Sequence, residues 1–343
     1  MPRFRSVAAI AATSLLLLTG CATNATPAAG DADSAAPGDD AAFPVTIEHA
    51  FGETEIASKP ERVATVSWGN QEAALALGVV PVGMPAVTWG DDDGDGVLPW
   101  VEDKLTELGG ETPALFDETD GIDFEAVADT QPDVILAAYS GLTQEDYDTL
   151  SKIAPVVAYP DAAWGTTLDQ MIQLNSKALG LETEGDALIE QIKTEAADAY
   201  AAHPALADAA PLFAFTDPTD LSTITYYTSH DPRAGFLHEL GMPEPEQVTK
   251  TSAEVDAFYS DISSENADVF SDVGLWITYG NTDGSTVAQL QADPLLSKIP
   301  AIAAGRIAVL EDGTPLAASA NPSPLSVGWG FGQYLDLLTT AVS

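Results

Sequence analysis

One segment of the sequence has the oxygen-donor spacing of a calcium-binding loop. It reads DDDGDGVLPWVE and fits the pattern D-x-D-x-D-G-x-x-x-x-x-E, in which alternate residues turn toward one cation. The candidate ligands are the carboxylates of Asp91, Asp93, Asp95 and Glu102. Gly96 would allow the sharp turn. No helix is evident before the loop, and a solvated acidic loop explains the same residues, so both interpretations stay open.

Aromatic side chains recur at the ends of predicted strands and in the loops that follow them. In an open α/β sheet, ligands bind beyond the carboxyl ends of the strands, so these side chains could line a cleft for a bulky, partly apolar ligand. The candidates are Trp68, Trp89, Tyr139, Trp164, Tyr226, Tyr227, Tyr279 and Trp329. Arg233 could meet an anionic ligand or pair with a nearby acid. For any single aromatic residue, packing in the core is the alternative.

The sequence carries no signature of a common catalytic site. Gly-x-Ser-x-Gly, His-Glu-x-x-His and the glycine-rich phosphate and dinucleotide loops do not occur. His230 and His238 could share a zinc ion, but a proline lies between them and no cysteine is near. We therefore expect a binding protein rather than an enzyme.

The single cysteine, Cys21, follows a segment typical of a signal peptide. Arg3 and Arg5 precede an apolar run over residues 7–18, which is too short for a membrane-spanning helix. The sequence Leu-Thr-Gly-Cys resembles the bacterial lipobox, in which cleavage before the cysteine accompanies acylation of its sulfur. We expect a signal peptide over residues 1–20 and lipidation of Cys21. The alternative is a lone cysteine beside an ordinary cleavage site.

The charge of the chain excludes one class of partner. Acidic residues number 53 against 12 basic ones, which gives a formal net charge of −41. A face that binds nucleic acid needs clustered Lys and Arg, so we expect no nucleic-acid partner. The charge favours solubility, and we expect a monomer.

The elements that must position these side chains form two lobes. Residues 21–42 lack large apolar side chains and are typical of a flexible tether. Apolar strands alternate with helices over residues 43–180 and again over 204–343, which predicts two α/β lobes with mostly parallel sheets. Val79–Val82 with Gly83 is expected as a strand of the first sheet.

Residues 181–203 give the longest helical signal and are predicted to join the two lobes as a single α-helix. Thr183 is the expected N-cap with Asp186 as its capping-box partner, and Pro204 ends the helix. A helix of about 20 residues spans roughly 30 Å. The alternative is an ordinary long helix packed on a single domain.

Two stretches share a weak internal repeat. In each, an Ile stands three residues before a Glu, and a Tyr at the end of an apolar strand follows fourteen residues after it. The two glutamates, Glu125 and Glu265, therefore open equivalent short helices. Capping the free N–H groups of those helices is a sufficient structural role for both carboxylates.

From about Phe43 to the C-terminus, the chain resembles the iron–siderophore substrate-binding lipoproteins of ABC importers. The stretches that carry the resemblance are PERV at 60–63, ALGVVPVG at 76–83, QPDVIL at 131–136, KIAP at 152–155, IPA at 299–301, GR at 305–306 and SPLS at 323–326. The resemblance implies two lobes joined by one long helix, a shallow cleft between them, and delivery of a ferric siderophore to a membrane permease.

The resemblance also assigns roles to particular residues. Glu125 and Glu265 match the glutamates that dock onto the permease, and Tyr139 matches a strand-end aromatic of the cleft. Some hydroxamate binders have an arginine in the first lobe where this chain has the acidic segment Leu115–Asp120. A neutral or cationic ferric hydroxamate is therefore favoured over an anionic catecholate. The siderophore would hold the iron, so no cofactor and no protein ligands to iron are expected.

Two other functions remain open from the sequence. A haem or cobalamin receptor of the same fold could use Tyr139 or Tyr227 as an axial ligand to haem. A secreted hydrolase or a calcium-stabilised surface protein belongs to a different class. The favoured interpretation is a receptor held by its lipid on the outer face of the cytoplasmic membrane, with a ferric siderophore and an ABC permease as partners.

Overall fold

Two five-stranded sheets form the framework of the computed structural model, which describes residues 43–343. The predicted signal peptide, the tether and the lipidation site Cys21 lie outside the described residues. Within residues 43–343, no helix combines the length and the apolar character needed to cross a membrane.

The first lobe contains a wholly parallel sheet, preceded by an antiparallel hairpin. All of its strands except the edge strand after residue 113 are fully buried because helices cover both faces, which is why they read as apolar runs. The hairpin and strands are β1 (Val45–His49), β2 (Gly52–Ile56), β3 (Val63–Thr65), β4 (Gly83–Pro85), β5 (Ala114–Phe116), β6 (Val134–Ala137) and β7 (Val156–Ala158). The helices are α1 (Asn70–Ala76), α2 (Pro99–Leu108), α3 (Phe124–Asp129), α4 (Gln144–Leu150) and α5 (Leu168–Ala178). The spatial order is β5-β4-β3-β6-β7, so the winding of the chain reverses between β3 and β6.

A long helix, α6 (Glu182–Ala201), leads from the first sheet to the second. The strands of the second sheet are β8 (Pro211–Asp217), β9 (Asp220–Tyr227), β10 (Tyr259–Ser263), β11 (Leu275–Gly280) and β12 (Ile307–Glu311). This sheet is mixed. Strands β8, β11 and β12 are parallel, and β9 and β10 are antiparallel, in the spatial order β10-β9-β8-β11-β12. The helices are α7 (Pro232–Glu239), α8 (Glu246–Glu254), α9 (Ser285–Ala292), α10 (Pro300–Ala303), α11 (Pro315–Ser319) and α12 (Ser326–Val342), with short 3₁₀ helices at 204–206, 264–270 and 296–298. The predicted fold class, α/β with two mostly parallel sheets, is confirmed.

One strand of the first sheet lies further along the chain than predicted. The apolar run Val79–Val82 is not a strand, and β4 forms at Gly83–Pro85 instead. Pro81 has no N–H to donate to a neighbouring strand. A Cβ at Gly83 would lie 2.2 Å from the ring of Phe116, so the absence of a side chain lets β4 pair with β5.

The predicted start of α6 is also wrong. Thr183 and Asp186 form no capping box, because Leu181 is the N-cap and accepts the first helical hydrogen bond from the N–H of Gly185 at 2.8 Å. Gly180, with φ +70°, ends the preceding segment, and the Leu181 N–H bonds back to the Ser176 carbonyl at 2.8 Å. This reversal starts the helix at Glu182.

One face of α6 is buried between α5 and α12. Its buried residues are Gly185, Ile189, Ile192 and Ala196, spaced three or four apart as one helical face requires. Lys193 forms an ion pair with Asp169 on α5, and His203 lies 3.0 Å from Asp336 on α12. The helix is thus fixed to elements that follow the first sheet and to elements that follow the second.

Candidate functional site

A cleft lined by aromatic side chains opens between the two sheets. The cleft contains two adjoining cavities of about 390 and 290 Å³. Both cavities are lined by the side chains of Trp68, Trp89 and Trp164. The larger cavity is lined by the first lobe, whereas the smaller one also reaches residues of the second lobe. Apolar walls with a few polar groups are the usual composition of a ligand site.

The first lobe places its aromatic residues at the carboxyl edge of its sheet. Trp68 follows β3, Tyr139 follows β6 and Trp164 follows β7. Since β3 and β6 flank the reversal in strand order, the cleft lies where the ends of two adjacent strands diverge.

Asn70 fixes the backbone at this point, although the sequence did not identify it. Its side chain is fully buried, donates to the carbonyls of Val66 and Tyr139 at 2.9 Å each, and accepts from the Tyr139 N–H at 3.1 Å. One amide therefore bridges the ends of β3 and β6. The only signal in the sequence is an Asn at the start of a helix that follows a strand.

The ring of Trp164 is held by its own backbone and by a glycine. The backbone N–H of Trp164 donates to the carbonyl of Ser140 at 2.9 Å, and the residue has φ +60°. The indole ring meets the Tyr139 ring edge-on, with the ring centres 5.3 Å apart. A Cβ at Gly141 would lie 2.2 Å from the Trp164 Nε1. A side chain at position 141 would therefore displace the tryptophan from the cleft.

The second lobe contributes the only Lys or Arg side chain among the described residues that line the two cavities. Arg233 donates from Nε and Nη2 to the two carboxylate oxygens of Asp231, which is buried, and its guanidinium carbon lies 3.8 Å from the centre of the Tyr227 ring. Burial opposes the charge of Arg233, but the Asp231 carboxylate outweighs it and raises the pKa of the guanidinium well above its ordinary value. The cleft thus holds a fixed cation with a fixed counter-charge.

Two neutral phenols lie beside this ion pair. Burial raises the pKa of Tyr139 and of Tyr279 well above the ordinary value, so both stay protonated. The Tyr139 hydroxyl accepts from Asn321 Nδ2 at 3.2 Å. The buried Tyr279 hydroxyl lies near Arg233 without a well-formed hydrogen bond. Tyr279 and Arg233 both line the smaller cavity.

Hydrogen bonds between the lobes hold the sides of the cleft together. Trp89 Nε1 donates to Asp312 Oδ1 at 2.9 Å. Deeper in, the carboxyl of Glu72 on α1 accepts from the Ser323 hydroxyl and from the Leu325 N–H. Burial raises the pKa of Glu72 to about 7, although these hydrogen bonds oppose the shift. The Glu72 and Ser323 side chains are buried, so this polar contact between the lobes is sealed from solvent.

A second carboxyl, Glu118, lines the larger cavity. Its Oε2 accepts from the Ser67 N–H at 3.0 Å, whereas its Oε1 is buried without a hydrogen-bond partner among the described residues. Burial raises the pKa of Glu118 to about 7. The sequence drew attention to the acidic segment Leu115–Asp120 but did not single out this residue, because its burial depends on distant loops.

Comparison with known proteins agrees with this architecture. The sequence profile described as "Periplasmic binding protein" matches residues 63–313. The chain belongs to the periplasmic binding protein family. The members of this family are solute-binding proteins.

Several relatives within the family have known structures or curated descriptions. PiaA from Streptococcus pneumoniae, solved in complex with ferrichrome, is 47% identical, with a TM-score of 0.83 over 87% of this chain and 98% of that one. A periplasmic solute binding protein from Mycobacterium smegmatis is 26% identical, with a TM-score of 0.68 over 87% and 99%. YfiY of Bacillus subtilis, described as a probable siderophore-binding lipoprotein, is 26% identical over 68% of this chain and 69% of its own.

The structure brings six of the nine predicted cleft residues together as lining residues. They are Trp68, Trp89, Tyr139, Trp164, Arg233 and Tyr279. Phe258 and Asn321 complete the wall and were not predicted. Tyr227 lies one layer behind, stacked under Arg233. Whether each of them contacts a ligand stays a prediction.

Two predicted residues lie elsewhere. Tyr226 is buried in the core of the second lobe, where its hydroxyl lies 2.7 Å from Thr251 Oγ1, because successive residues of β9 face opposite sides of the sheet. Trp329 lies on α12 and packs against Trp100 of α2 at 5.0 Å. Neither side chain is among the residues that line the two cavities, so the structure does not support their assignment to the cleft.

The acidic loop brings together three of its four predicted calcium ligands. Carboxylate oxygens of Asp91, Asp93 and Asp95 lie within 4.8 Å of one another. Asp91 also accepts from the N–H groups of Gly94 and Gly96 at 2.8 Å each. Glu102 lies outside that group on α2, where the charge of Asp95 raises its pKa. Calcium binding stays a prediction.

The two histidines considered for zinc are engaged separately. His230 Nε2 lies 2.9 Å from the carbonyl of Ser252, and His238 Nδ1 lies 3.3 Å from that of Met242. Among the described residues, the group of three aspartates is the only cluster with metal-ligand spacing.

Glu125 and Glu265 are exposed in the first turns of their short helices. The expected capping role is wrong for both, because the residue two positions earlier performs it. Asp123 accepts from the Ala126 N–H at 2.9 Å, and Ser263 accepts from the Glu265 N–H at 3.3 Å. Neither glutamate side chain forms a hydrogen bond or ion pair within residues 43–343, so both carboxylates are available to a partner.

Proposed function

We propose that this chain binds an intact ferric hydroxamate siderophore in the aromatic cleft and presents it to an ABC importer. The observation that carries the proposal is the pairing of a tryptophan-rich wall on the first lobe with the Arg233–Asp231 pair on the second. A ferric trihydroxamate is a bulky complex with apolar flanks and partly negative oxygens around the metal. The tryptophans suit the flanks, and Arg233 with the neutral phenols suits the oxygens.

The charge balance of the cleft supports a hydroxamate over a catecholate. Asp231 compensates Arg233, and the larger cavity is lined by two acids, Glu118 and Asp146, with no Lys or Arg among its described lining residues. A highly anionic ferric catecholate would meet net negative charge there. The ferrichrome complex of PiaA, at 47% identity, supports the same class, because ferrichrome is a neutral trihydroxamate.

The siderophore supplies the donor atoms for iron in this proposal, and the protein performs no chemistry. No His or Cys is among the described residues that line the two cavities. Haem would need Tyr139 or Tyr227 as an axial ligand. Tyr139 has a raised pKa and bonds to Asn321, and Tyr227 lies under Arg233, so both are poorly placed for that role.

The N-terminal motif and one relative support a membrane-anchored location. Acylation of Cys21 would anchor a monomeric receptor to the outer face of the cytoplasmic membrane, where its permease lies. YfiY, described as a lipoprotein, supports this arrangement. Mass spectrometry of the purified mature protein would detect the lipid on the cysteine.

Tryptophan fluorescence tests the ligand class, because three tryptophans line the cleft. Ferrichrome and ferrioxamine at micromolar concentration should quench the emission, whereas haem and cobalamin should not. Trp164→Ala should weaken both quenching and affinity. The matched change Trp276→Phe removes a tryptophan buried in the second lobe and should leave the affinity unchanged. Quenching by haem or cobalamin alone would contradict the proposal.

A further inference from the structure

We propose that Glu118 selects ferric siderophores that carry an ammonium group, by accepting that group's N–H bonds inside the cleft. The inference rests on the proposed function and specifies the ligand class further. Glu118 lies in the loop after β5 and lines the larger cavity together with Trp68 and Trp89. A ligand whose iron centre occupies the aromatic cleft would place a flexible arm beside it.

The Glu118 carboxyl is held in place by one oxygen only. Oε2 accepts from the Ser67 N–H at 3.0 Å, and Ser67 has φ +63°, an unusual backbone conformation that directs this N–H toward the loop. Oε1 is buried and has no partner among the described residues. A positioned carboxylate with one unsatisfied buried oxygen is an acceptor site without its donor.

The other charged groups at the cleft have hydrogen-bond or ion-pair partners within the chain. Asp146 accepts from the N–H and the hydroxyl of Thr143 in a capping box, so its carboxylate stabilises α4. Arg233 and Asp231 neutralise each other. Among the described residues that line the two cavities, Glu118 is the charged group that has a buried oxygen without a partner.

An ammonium group matches Glu118 better than a neutral amide does. An ammonium supplies several N–H donors and the opposite charge, and in a partly desolvated site both terms strengthen the contact. A neutral amide could satisfy Oε1 but would leave the carboxylate charge buried without compensation. Burial raises the pKa of Glu118 to about 7. A bound cation would oppose this effect, because a nearby positive charge favours the ionised carboxylate.

Two ligands that differ only in this group provide the test. Ferrioxamine B ends in a primary ammonium, and its N-acetylated form keeps the same ferric trihydroxamate core without the charge. At pH 8, where Glu118 is ionised, the wild-type protein should bind the ammonium form at least tenfold more tightly. Fluorescence titration or calorimetry gives both dissociation constants.

Variants assign the preference to Glu118. Glu118→Gln keeps an oxygen for the Ser67 N–H, and it should reduce the ratio of the two dissociation constants to near one, mainly by weakening the ammonium form. Asp120→Asn, an exposed acid in the same loop, is the matched control and should keep the wild-type ratio. Thermal unfolding verifies that each variant is folded.

The outcomes separate this inference from the proposed function. Equal affinity of the wild-type protein for the two ligands overturns the role of Glu118 but leaves siderophore binding intact. An unchanged ratio in Glu118→Gln does the same. If neither form and no ferrichrome binds to the wild-type protein, the proposed function fails, and the inference fails with it. The wild-type ratio alone decides the matter if Glu118→Gln does not fold.

Discussion

Arg233 donates two parallel hydrogen bonds to Asp231, with Nε–Oδ1 at 2.8 Å and Nη2–Oδ2 at 2.7 Å. This forked geometry fixes the guanidinium plane over the ring of Tyr227. The pair places a positive group at the cleft wall while its charge is balanced by a carboxylate that has no solvent exposure. The position of the cation is therefore set by the planar shape of arginine as well as by its charge.

Arg233→Lys should weaken siderophore binding although it keeps the charge. A lysine ammonium cannot make both bonds to Asp231 or lie flat on Tyr227, so it would not hold its donors toward the cleft. We expect a loss of about tenfold in affinity, which corresponds to about 1.4 kcal/mol. Calorimetry with ferrichrome measures it. Arg306→Lys, at a side chain that bonds the Gly274 carbonyl outside the cleft, is the control, and an unchanged dissociation constant in Arg233→Lys would contradict the argument.

The buried carboxyl of Glu72 predicts a pH-dependent stability. Its pKa is raised from the ordinary 4.5 to about 7, so between these values the folded protein binds more protons at this site than the unfolded chain does. The contribution of Glu72 to the free energy of unfolding should therefore fall as pH rises from 4.5 to 7 and stay constant above. A shift of this size corresponds to about 3 kcal/mol over that range.

Denaturant unfolding at several pH values checks this prediction by comparison with Glu72→Gln. The amide cannot titrate, so the variant should lose this downward slope while Glu118 and the other acids still contribute theirs. The stability difference between variant and wild type should change steadily between pH 4.5 and 7. A difference that is independent of pH would show that Glu72 does not titrate in this range.

The sequence was sufficient to predict the sheets wherever burial produces apolar runs. The strands β3, β6 and β7 read clearly because both faces are covered. By contrast, β10 reads YSDIS and is half exposed, so it lacks a continuous apolar signal. The run Val79–Val82 has the opposite property, because it is apolar but does not form a strand. The strand forms instead where Gly83 permits close contact with Phe116.

The cleft was predictable in outline but not in detail. Aromatic residues after parallel strands must gather at one edge of the sheet, and Trp68, Tyr139 and Trp164 do line the smaller cavity there. The choice between Tyr226 and Tyr227 depends on the register of β9, which its neighbouring strands determine. The roles of Asn70 and Glu118 depend on contacts with residues far away in sequence, so no local pattern reveals them.

Gly185→Ala should loosen the packing of α6 against α5. A Cβ there would lie 2.1 Å from the Ser176 Oγ and 2.5 Å from its Cβ, so the two helices would have to separate. We expect a loss of about 2 kcal/mol in the free energy of unfolding, as is typical of overpacked contacts. The double change with Ser176→Gly removes the clash and should recover part of this loss in denaturant unfolding. Full stability of the single variant would contradict the close contact.

Calcium should raise the melting temperature if the loop at Asp91 binds it. The three clustered carboxylates repel one another, and a divalent cation would relieve this repulsion and fix the turn that leads into α2. Asp93→Asn with Asp95→Asn should abolish the shift. Asp92→Asn, a neighbour outside the cluster, should preserve it. No change in melting temperature or in titration heat at millimolar calcium would end the interpretation.

Glu125→Ala combined with Glu265→Ala should abolish siderophore uptake and leave ligand affinity unchanged. Both carboxylates are exposed at the starts of short helices and have no partner within residues 43–343, and neither is among the residues that line the two cavities. Opposite charges on a permease could therefore bind them without disturbing the cleft.

The matched control for this double variant replaces Glu145 and Glu246, which are also exposed first-turn glutamates. Uptake of radiolabelled ferrichrome by cells that carry each variant, together with dissociation constants of the purified proteins, gives both readouts. Normal uptake by the double variant, or equal loss in the control pair, would show that these glutamates do not form the docking surface.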